Sequence, residues 1–157
     1  MASVPEVPTR PIAKMDVEIA IRNYWIVFMS KQVDQQQDCF AENAFIFAAN
    51  SRRIEPGRLV QLRRQREYMS ASARVDVNVG HIEVEILSDN SAVAAYTMQF
   101  TAEQKEVAAA GATRIADERI PNARVSQVFM RHADGTLRVV HEHFSIPDEP
   151  RESPSKS

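Results

Sequence analysis

The sequence predicts an α+β fold: a strongly curved, cone-shaped antiparallel sheet with N-terminal helices packed on its concave face. Three observations predict it. Apolar residues recur at helical spacing only up to about residue 70, they alternate at strand spacing from residue 75 onward, and the alternation changes phase once, at Gly80. Helices and strands segregated in this way pack as two layers. A sheet bent by a bulge and covered by helices leaves a hollow beneath it.

The first element is a helix. Val17, Ala20, Ile21, Tyr24, Trp25 and Phe28 fall on one stripe, with Asp16 and Glu18 placed to cap or charge its start. Ile19, Ile26, Val27 and Met29 give it a second apolar side. A helical turn around Asp38–Ala41 is expected next, then a strand over Ala44–Ala48. Pro56 opens a third helix that runs to about Ser70, with Leu59, Leu62 and Tyr68 facing inward.

Strands follow. Val75, Val77 and Val79 place one apolar face on odd positions, whereas Ile82, Val84 and Ile86 place it on even ones. A one-residue change of phase at Gly80-His81 is what a β-bulge produces. Asp89-Asn90 forms a turn, and Ala92, Ala94, Tyr96, Met98 and Phe100 share one face of the next strand. Residues 124–131 and 137–145 form a hairpin around Ala133-Asp134-Gly135. If this is a three-residue loop with Gly135 left-handed, Val128 pairs with Val140; a two-residue Asp-Gly turn changes that register. The Ala-rich stretch 102–122 is either a long hairpin tip or an irregular excursion.

Composition narrows the class. The chain has 157 residues, 44% hydrophobic and 25% charged, which suits one globular domain. That domain is expected over residues 15–146, between a flexible segment 1–14 and a disordered tail 147–157. With 19 basic and 21 acidic residues there is no global attraction to nucleic acid or anionic lipid. Arg52, Arg53, Arg58, Arg63, Arg64 and Arg66 form a local basic cluster. Glu55 and Glu67 interrupt it and no aromatic residue interleaves it, so a solvated helix face is expected rather than a nucleic-acid site. Trp25–Met29 is too short to cross a bilayer, and the first eight residues lack the pattern of a secretory signal, so a cytoplasmic protein is expected. Cys39 is the only cysteine, which excludes an internal disulfide and a cysteine zinc site. No glycine-rich phosphate loop is present, and no cofactor is expected.

Residues 89–98 (DNSAVAAYTM) and 124–145 (RVSQVFMRHADGTLRVVHEHFS) resemble the nuclear transport factor 2-like superfamily, whose domains have a cystatin-like fold. The similarity is greatest to the SnoaL-like proteins (ketosteroid isomerase homologues) and to the association domain of calcium/calmodulin-dependent protein kinase II. The resemblance implies isomerase, cyclase, dehydratase or hydrolase chemistry, or plain assembly. It also implies a homo-oligomer, most simply a dimer, formed through the outer sheet face. Carried over residue by residue, the isomerase tyrosine falls on Tyr24 and the general-base aspartate on Ala48. The oxyanion acid falls near Gln127 or Val128. Neither alanine nor these residues can do that proton chemistry, so steroid isomerisation by the familiar route is not expected. The basic pocket positions of the association domain become Met98, Val128 and Phe144, so the pocket is expected to be apolar.

Two candidate clusters remain. His141 and His143 share one face of the last strand, about 7 Å apart, while Glu142 and Phe144 share the other. Two histidines without a third ligand make no metal centre, and none is expected. Which pair lines the pocket is open. If Glu142 points inward, a carboxyl among Phe and Met side chains has a raised pKa and can serve as general acid or base. The alternative is a structural pair between Glu142 and an arginine such as Arg124. The predicted site is therefore Glu142 as acid–base and Tyr24 as hydrogen-bond donor. Phe28, Phe47, Tyr96, Met98, Phe100, Val128 and Phe144 form its walls, and a small apolar molecule is the expected ligand. A non-catalytic association module is the competing expectation.

Overall fold

A computed structural model describes residues 10–48, 52–104 and 117–147. In chain order the elements are α1 (Lys14–Met29), α2 (Val33–Gln37), β1 (Phe40–Phe47), β2 (Glu55–Pro56) and α3 (Arg58–Ala71). The long strands β3 (Ser72–Ser88), β4 (Ser91–Gln104), β5 (Glu118–Arg131) and β6 (Leu137–Ser145) follow. The strands form one six-stranded sheet in the order β2-β1-β6-β5-β4-β3. The expected wholly antiparallel sheet is corrected at one position, because β1 runs parallel to β6. A strand entering from the helical half and lying beside the C-terminal strand must cross over through α3 and the meander, and parallel pairing follows.

α1 starts where Asp16 reaches back. Its carboxylate accepts from the Ala13 N–H at 2.8 Å and from the Arg10 guanidinium at 2.8 and 2.5 Å. The predicted stripe is the buried one: Val17, Ile21, Tyr24, Trp25 and Phe28 face the sheet, and each such side chain contributes about 1.5–3 kcal/mol by burial. The folded part begins before residue 15, since Ile12 is buried and its N–H donates to Asp89 O at 3.0 Å.

Three local expectations are corrected. The helical turn lies at Val33–Gln37 rather than Asp38–Ala41, because Phe40 and Ala41 already belong to β1 and Phe40 pairs with Val139. Pro56 lies in β2, not at a helix start, and α3 begins after Gly57, whose φ of 85° turns the chain. Leu59 is 72% exposed, because the inward face of α3 is formed by Gln61, Leu62, Gln65 and Met69.

The bulge at Gly80 is present: Val79 pairs with Met98 but Ile82 pairs with Tyr96, so β3 gains a residue there. The loop of the last hairpin is the three-residue form, with Gly135 left-handed at φ 87° and His132 N–H donating to Thr136 O at 2.7 Å. Its pairing is corrected. Phe129 faces Val139, then Val140 is skipped, so Val128 faces His141 instead of Val140. Residues 105–116, where the Ala-rich stretch has its centre, lie outside the described residues, as do most of the predicted loose ends. Among the described residues no helix is long and apolar enough to cross a membrane.

Candidate functional site

The skipped residue at Val140 sets the polarity of the inner sheet face. With it, Val84, Ala94, Gln127, Glu142 and Ile46 form one row across five strands. Every member of that row is buried, and Glu142 is only 3% exposed. Phe144 and Ala48 continue the inner face toward the open end of the cone. There Tyr24, Trp25, Phe28, Gln61, Arg64, Gln65, Tyr68, Phe100, Glu118, Ile120 and Ile146 join them around a cavity of about 250 Å³. That size suits a small ligand, since drug-sized sites run from about 300 Å³ upward. A larger space of about 570 Å³ lies between α1, α2 and the last hairpin, on the other side of Tyr24. Glu142 does not line it.

Glu142 is held by a directional chain of hydrogen bonds. Trp25 Nε1 donates to the Tyr96 hydroxyl at 2.8 Å, Tyr96 donates to Gln127 Oε1 at 2.7 Å, and Gln127 Nε2 donates to Glu142 Oε1 at 2.7 Å. The indole can only donate, so the Tyr96 proton must go onward, and Gln127 must present its oxygen to Tyr96 and its NH₂ to Glu142. Glu142 Oε1 is therefore fixed as an acceptor, and a proton on this carboxyl belongs on Oε2. From the helices, Gln65 Nε2 donates to the Tyr24 hydroxyl at 3.1 Å, and that hydroxyl lies near enough to Glu142 to favour its charged form.

Burial raises the pKa of Glu142 above the ordinary carboxylate value, and the hydrogen bond from Gln127 and the nearby Tyr24 hydroxyl only partly oppose it. The Tyr24 and Tyr96 hydroxyls are pushed well above the usual phenol value, first by burial and then by the Glu142 charge, so both remain donors. The proposed ion pair with Arg124 is not formed: Arg124 lies opposite Ser145 on the exposed face, whereas Glu142 lies opposite Gln127. The groups that face the carboxyl are a neutral amide and a neutral phenol, which leaves its proton affinity high.

No family model matches the chain, and no curated protein matches it. Solved structures do. A candidate scytalone dehydratase from Novosphingobium aromaticivorans superposes with a TM-score of 0.73 at 10% identity, covering 85% of this chain and 83% of that one. A candidate calcium/calmodulin-dependent protein kinase II association domain from Xanthomonas campestris gives 0.70 at 16% identity, covering 95% of both chains. A candidate dehydratase of the nuclear transport factor 2-like family from Streptomyces avermitilis gives 0.70 at 12% identity, covering 86% of this chain and 96% of that one. The chain has the nuclear transport factor 2-like fold.

Within a nuclear transport factor 2-like cone the predicted site residues fall into three groups. Glu142, Tyr24, Phe28, Phe100 and Phe144 line the cavity together. Tyr96 and Met98 are buried on the same inner face but do not line it; Tyr96 acts through Gln127 on Glu142, and Met98 is core. Phe47 and Val128 are corrected, because both lie on the outer face. On β1 the inward positions are Ala44 and Ile46, so Phe47 points out and lies with its ring centroid 5.6 Å from that of His143. On β5 the inward positions are Ala123, Val125, Gln127 and Phe129, which turns Val128 outward beside His141. Small Ala44 and Ala48 on the inner side of β1 leave room that a phenylalanine would fill.

His141 and His143 are thus outer-face residues. His141 Nδ1 lies 2.8 Å from Phe45 O; a carbonyl only accepts, so Nδ1 carries the proton. Among the described residues no group of three or more His, Cys, Asp or Glu side chains is arranged to hold a metal ion. Cys39 is half-buried and its thiol is pushed up to about 11 by burial, which makes it unreactive at neutral pH.

Three residues of the candidate site were not nominated from the sequence: Gln61 and Gln65 went unread, and Gln127 entered only as a position unable to serve as the oxyanion acid. Gln61 and Gln65 are 6% and 7% exposed and line the cavity, and among the described residues neither Oε1 has a hydrogen-bond partner. Leaving such an oxygen buried and unpaired costs about 1–3 kcal/mol. The available signal was their i, i+4 spacing on the same face as Leu62 and Met69.

Proposed function

We propose that this protein binds a small, mostly apolar molecule in the cavity and catalyses proton transfer on it, with Glu142 as general acid–base and Tyr24 as hydrogen-bond donor. The observation that carries this reading is a buried carboxyl with a raised pKa, lacking a cationic partner among its hydrogen bonds, at the wall of a cavity of ligand size. Dehydration, isomerisation and cyclisation all need such a group to take a proton from carbon and deliver one to oxygen. Dehydration is the favoured outcome, and the names of two similar solved structures support it. Tyr24 stabilises negative charge developing on Glu142 or on a substrate oxygen beside it. No metal or cofactor is part of the proposal.

The test is carbon-acid exchange. Incubated with 2-tetralone in heavy water, the protein should accelerate deuterium uptake at the α-carbon, read by proton NMR. Glu142→Gln keeps the acceptor for Gln127 but removes the titrating group, and should return the rate to that of buffer. An unchanged rate in the variant removes Glu142 from the chemistry.

A second reading has its own observation. Val93, Val128, His141 and Phe45 form one row across the outer face, and Phe45 is 45% exposed. We propose that this face pairs two copies of the chain. The name of the similar association domain supports assembly of this kind, and a homodimer is compatible with chemistry inside each cone. If the cavity takes no ligand, assembly alone remains.

A further inference from the structure

We infer that the outward face of α3 is a docking surface for an anionic lipid bilayer, with arginines engaging the phosphate layer and Leu59 and Val60 entering the interface between them. The inference is independent of the chemistry in the cavity, because it uses the opposite side of the helix.

Residues 52–67 hold six arginines against two glutamates, in a chain whose total charge is -2. The positive charge is therefore local, and the remainder of the molecule is acidic. Gln61, Leu62, Gln65 and Met69 are buried and fix which side of α3 meets the fold. The other side carries Leu59, Arg63 and Arg66 at i, i+4 and i+7, with Val60 beside them and Glu67 as its acid. Leu59 is 72% exposed, Val60 41%, and Ile54, just before the short edge strand β2 that leads into the helix, 51%. Single exposed aliphatic residues are ordinary. Here three fall within residues 54–60, flanked by Arg52, Arg58 and Arg63. The exposed Met15, Ile19 and Ile26 of α1 differ, because Glu18 and Arg22 beside them are of opposite sign.

The cations of this face are not neutralised by the fold. Arg53 and Arg64 have partners of their own, but among the described residues Arg52, Arg58, Arg63 and Arg66 enter no ion pair. A guanidinium grips phosphate oxygens through parallel N–H groups, while its aliphatic stem lies along apolar neighbours. The pattern matches a surface that offers anions above hydrocarbon. Other polyanions fit less well. Neither of the two cavities described above is lined by Leu59, Val60, Arg63 or Arg66, so no pocket there receives the anchors of an acidic peptide. A nucleic-acid backbone would leave the aliphatic side chains in water, and no aromatic residue is present in this stretch to stack on bases. Each arginine near an anionic leaflet strengthens binding about fivefold, which gives a reversible, salt-sensitive attachment.

The test is co-sedimentation of the full chain with sucrose-loaded vesicles, of phosphatidylcholine alone or with about one-third phosphatidylserine, at low and at high salt. The protein should bind the anionic vesicles at low salt and lose most of that binding at high salt or without phosphatidylserine. Arg63→Gln/Arg66→Gln should weaken binding about twenty-five-fold, and Leu59→Ser about tenfold. Arg22→Gln, on α1, should leave it unchanged. All four side chains are exposed, and a melting scan verifies that each variant is folded. The inference is overturned by absent binding to the anionic vesicles, by equal binding to the neutral ones, or by a loss in Arg22→Gln as large as in the α3 variants. Leu59→Ser binding as the parent does overturns it too. So does tighter binding of duplex DNA or polyglutamate than of the vesicles, which would assign the face to a different polyanion.

Discussion

Gln127 faces Glu142 across the β5–β6 ladder because the register slips at Val140, and a single residue thereby decides what the cavity contains. Without the slip, alternation from Val139 would place His141 and His143 inward beside Gln127. With it, the histidines lie tilted against Phe45 and Phe47 outside, and the carboxyl enters the interior. A bulge re-aims every side chain beyond it, and here it converts an imidazole lining into an acidic one.

Burial of Glu142 makes stability depend on pH with a definite sign. Burial raises its folded pKa above that of an ordinary carboxylate, so between the ordinary value and the raised one the folded state holds a proton that the unfolded chain has lost. Stability therefore falls as pH rises through this window and is level above it. Glu142→Gln cannot titrate and should lack this loss. Melting temperatures of the two proteins, compared from acid to neutral pH, should diverge in favour of the variant as pH rises. Parallel curves would show that Glu142 is not desolvated.

Tyr96 transmits the fixed direction of Trp25 to Gln127. Tyr96→Phe should leave the Trp25 N–H and Gln127 Oε1 unpaired in the interior and cost about 1–3 kcal/mol. It should also free the Gln127 amide to turn over, so that Oε1 of Glu142 is no longer held as an acceptor and the pH profile of 2-tetralone exchange shifts. Chemical denaturation measures the first effect and the NMR assay the second. A variant as stable as the parent, with an unchanged profile, would mean that the relay holds nothing.

The long elements were legible because each carries one strong pattern. The stripe Val17–Ile21–Tyr24–Phe28 and the alternation Ala92–Ala94–Tyr96–Met98–Phe100 admit a single buried face, and both faces are the ones observed. β5 and β1 were not legible in the same way. Val128 and Met130 offer as apolar a face as Val125 and Phe129, and the outward pair Phe45 and Phe47 is larger than the inward pair Ala44 and Ile46. Size suggested the wrong side, because a cavity needs small residues facing it. Glu142 and Tyr24 were nominated from the sequence, but the amides that hold them were not: a glutamine reads as a surface residue until the fold shows what surrounds it.

Gly80 supports the bend of β3 through lack of space rather than through an unusual backbone angle. A Cβ there would lie 3.1 Å from Thr97 O and 3.3 Å from Thr97 Oγ1, and the nearer atom belongs to the paired strand's backbone. Gly80→Ala must push β4 away at the bulge, so a destabilisation of about 1–3 kcal/mol is expected. Thermal unfolding measures it; an unchanged or higher melting temperature would show that the strands separate there without strain.

The row Val93–Val128–His141–Phe45 makes the proposed dimer testable without touching the cavity. Phe45 lies tilted against His141 at 4.5 Å between ring centroids and projects from the outer face, so Phe45→Glu places a charge in the middle of the patch while leaving the inner face of β1 intact. A charge buried without a partner opposes association strongly. Sedimentation velocity at micromolar concentration should show the parent as a dimer and the variant as a monomer, with the melting curve of each recorded alongside. A monomeric parent would dismiss pairing of copies through this face, and a dimeric variant would move the interface elsewhere. Because Phe45 points away from Glu142, deuterium exchange into 2-tetralone should persist in a monomeric variant, which separates assembly from chemistry.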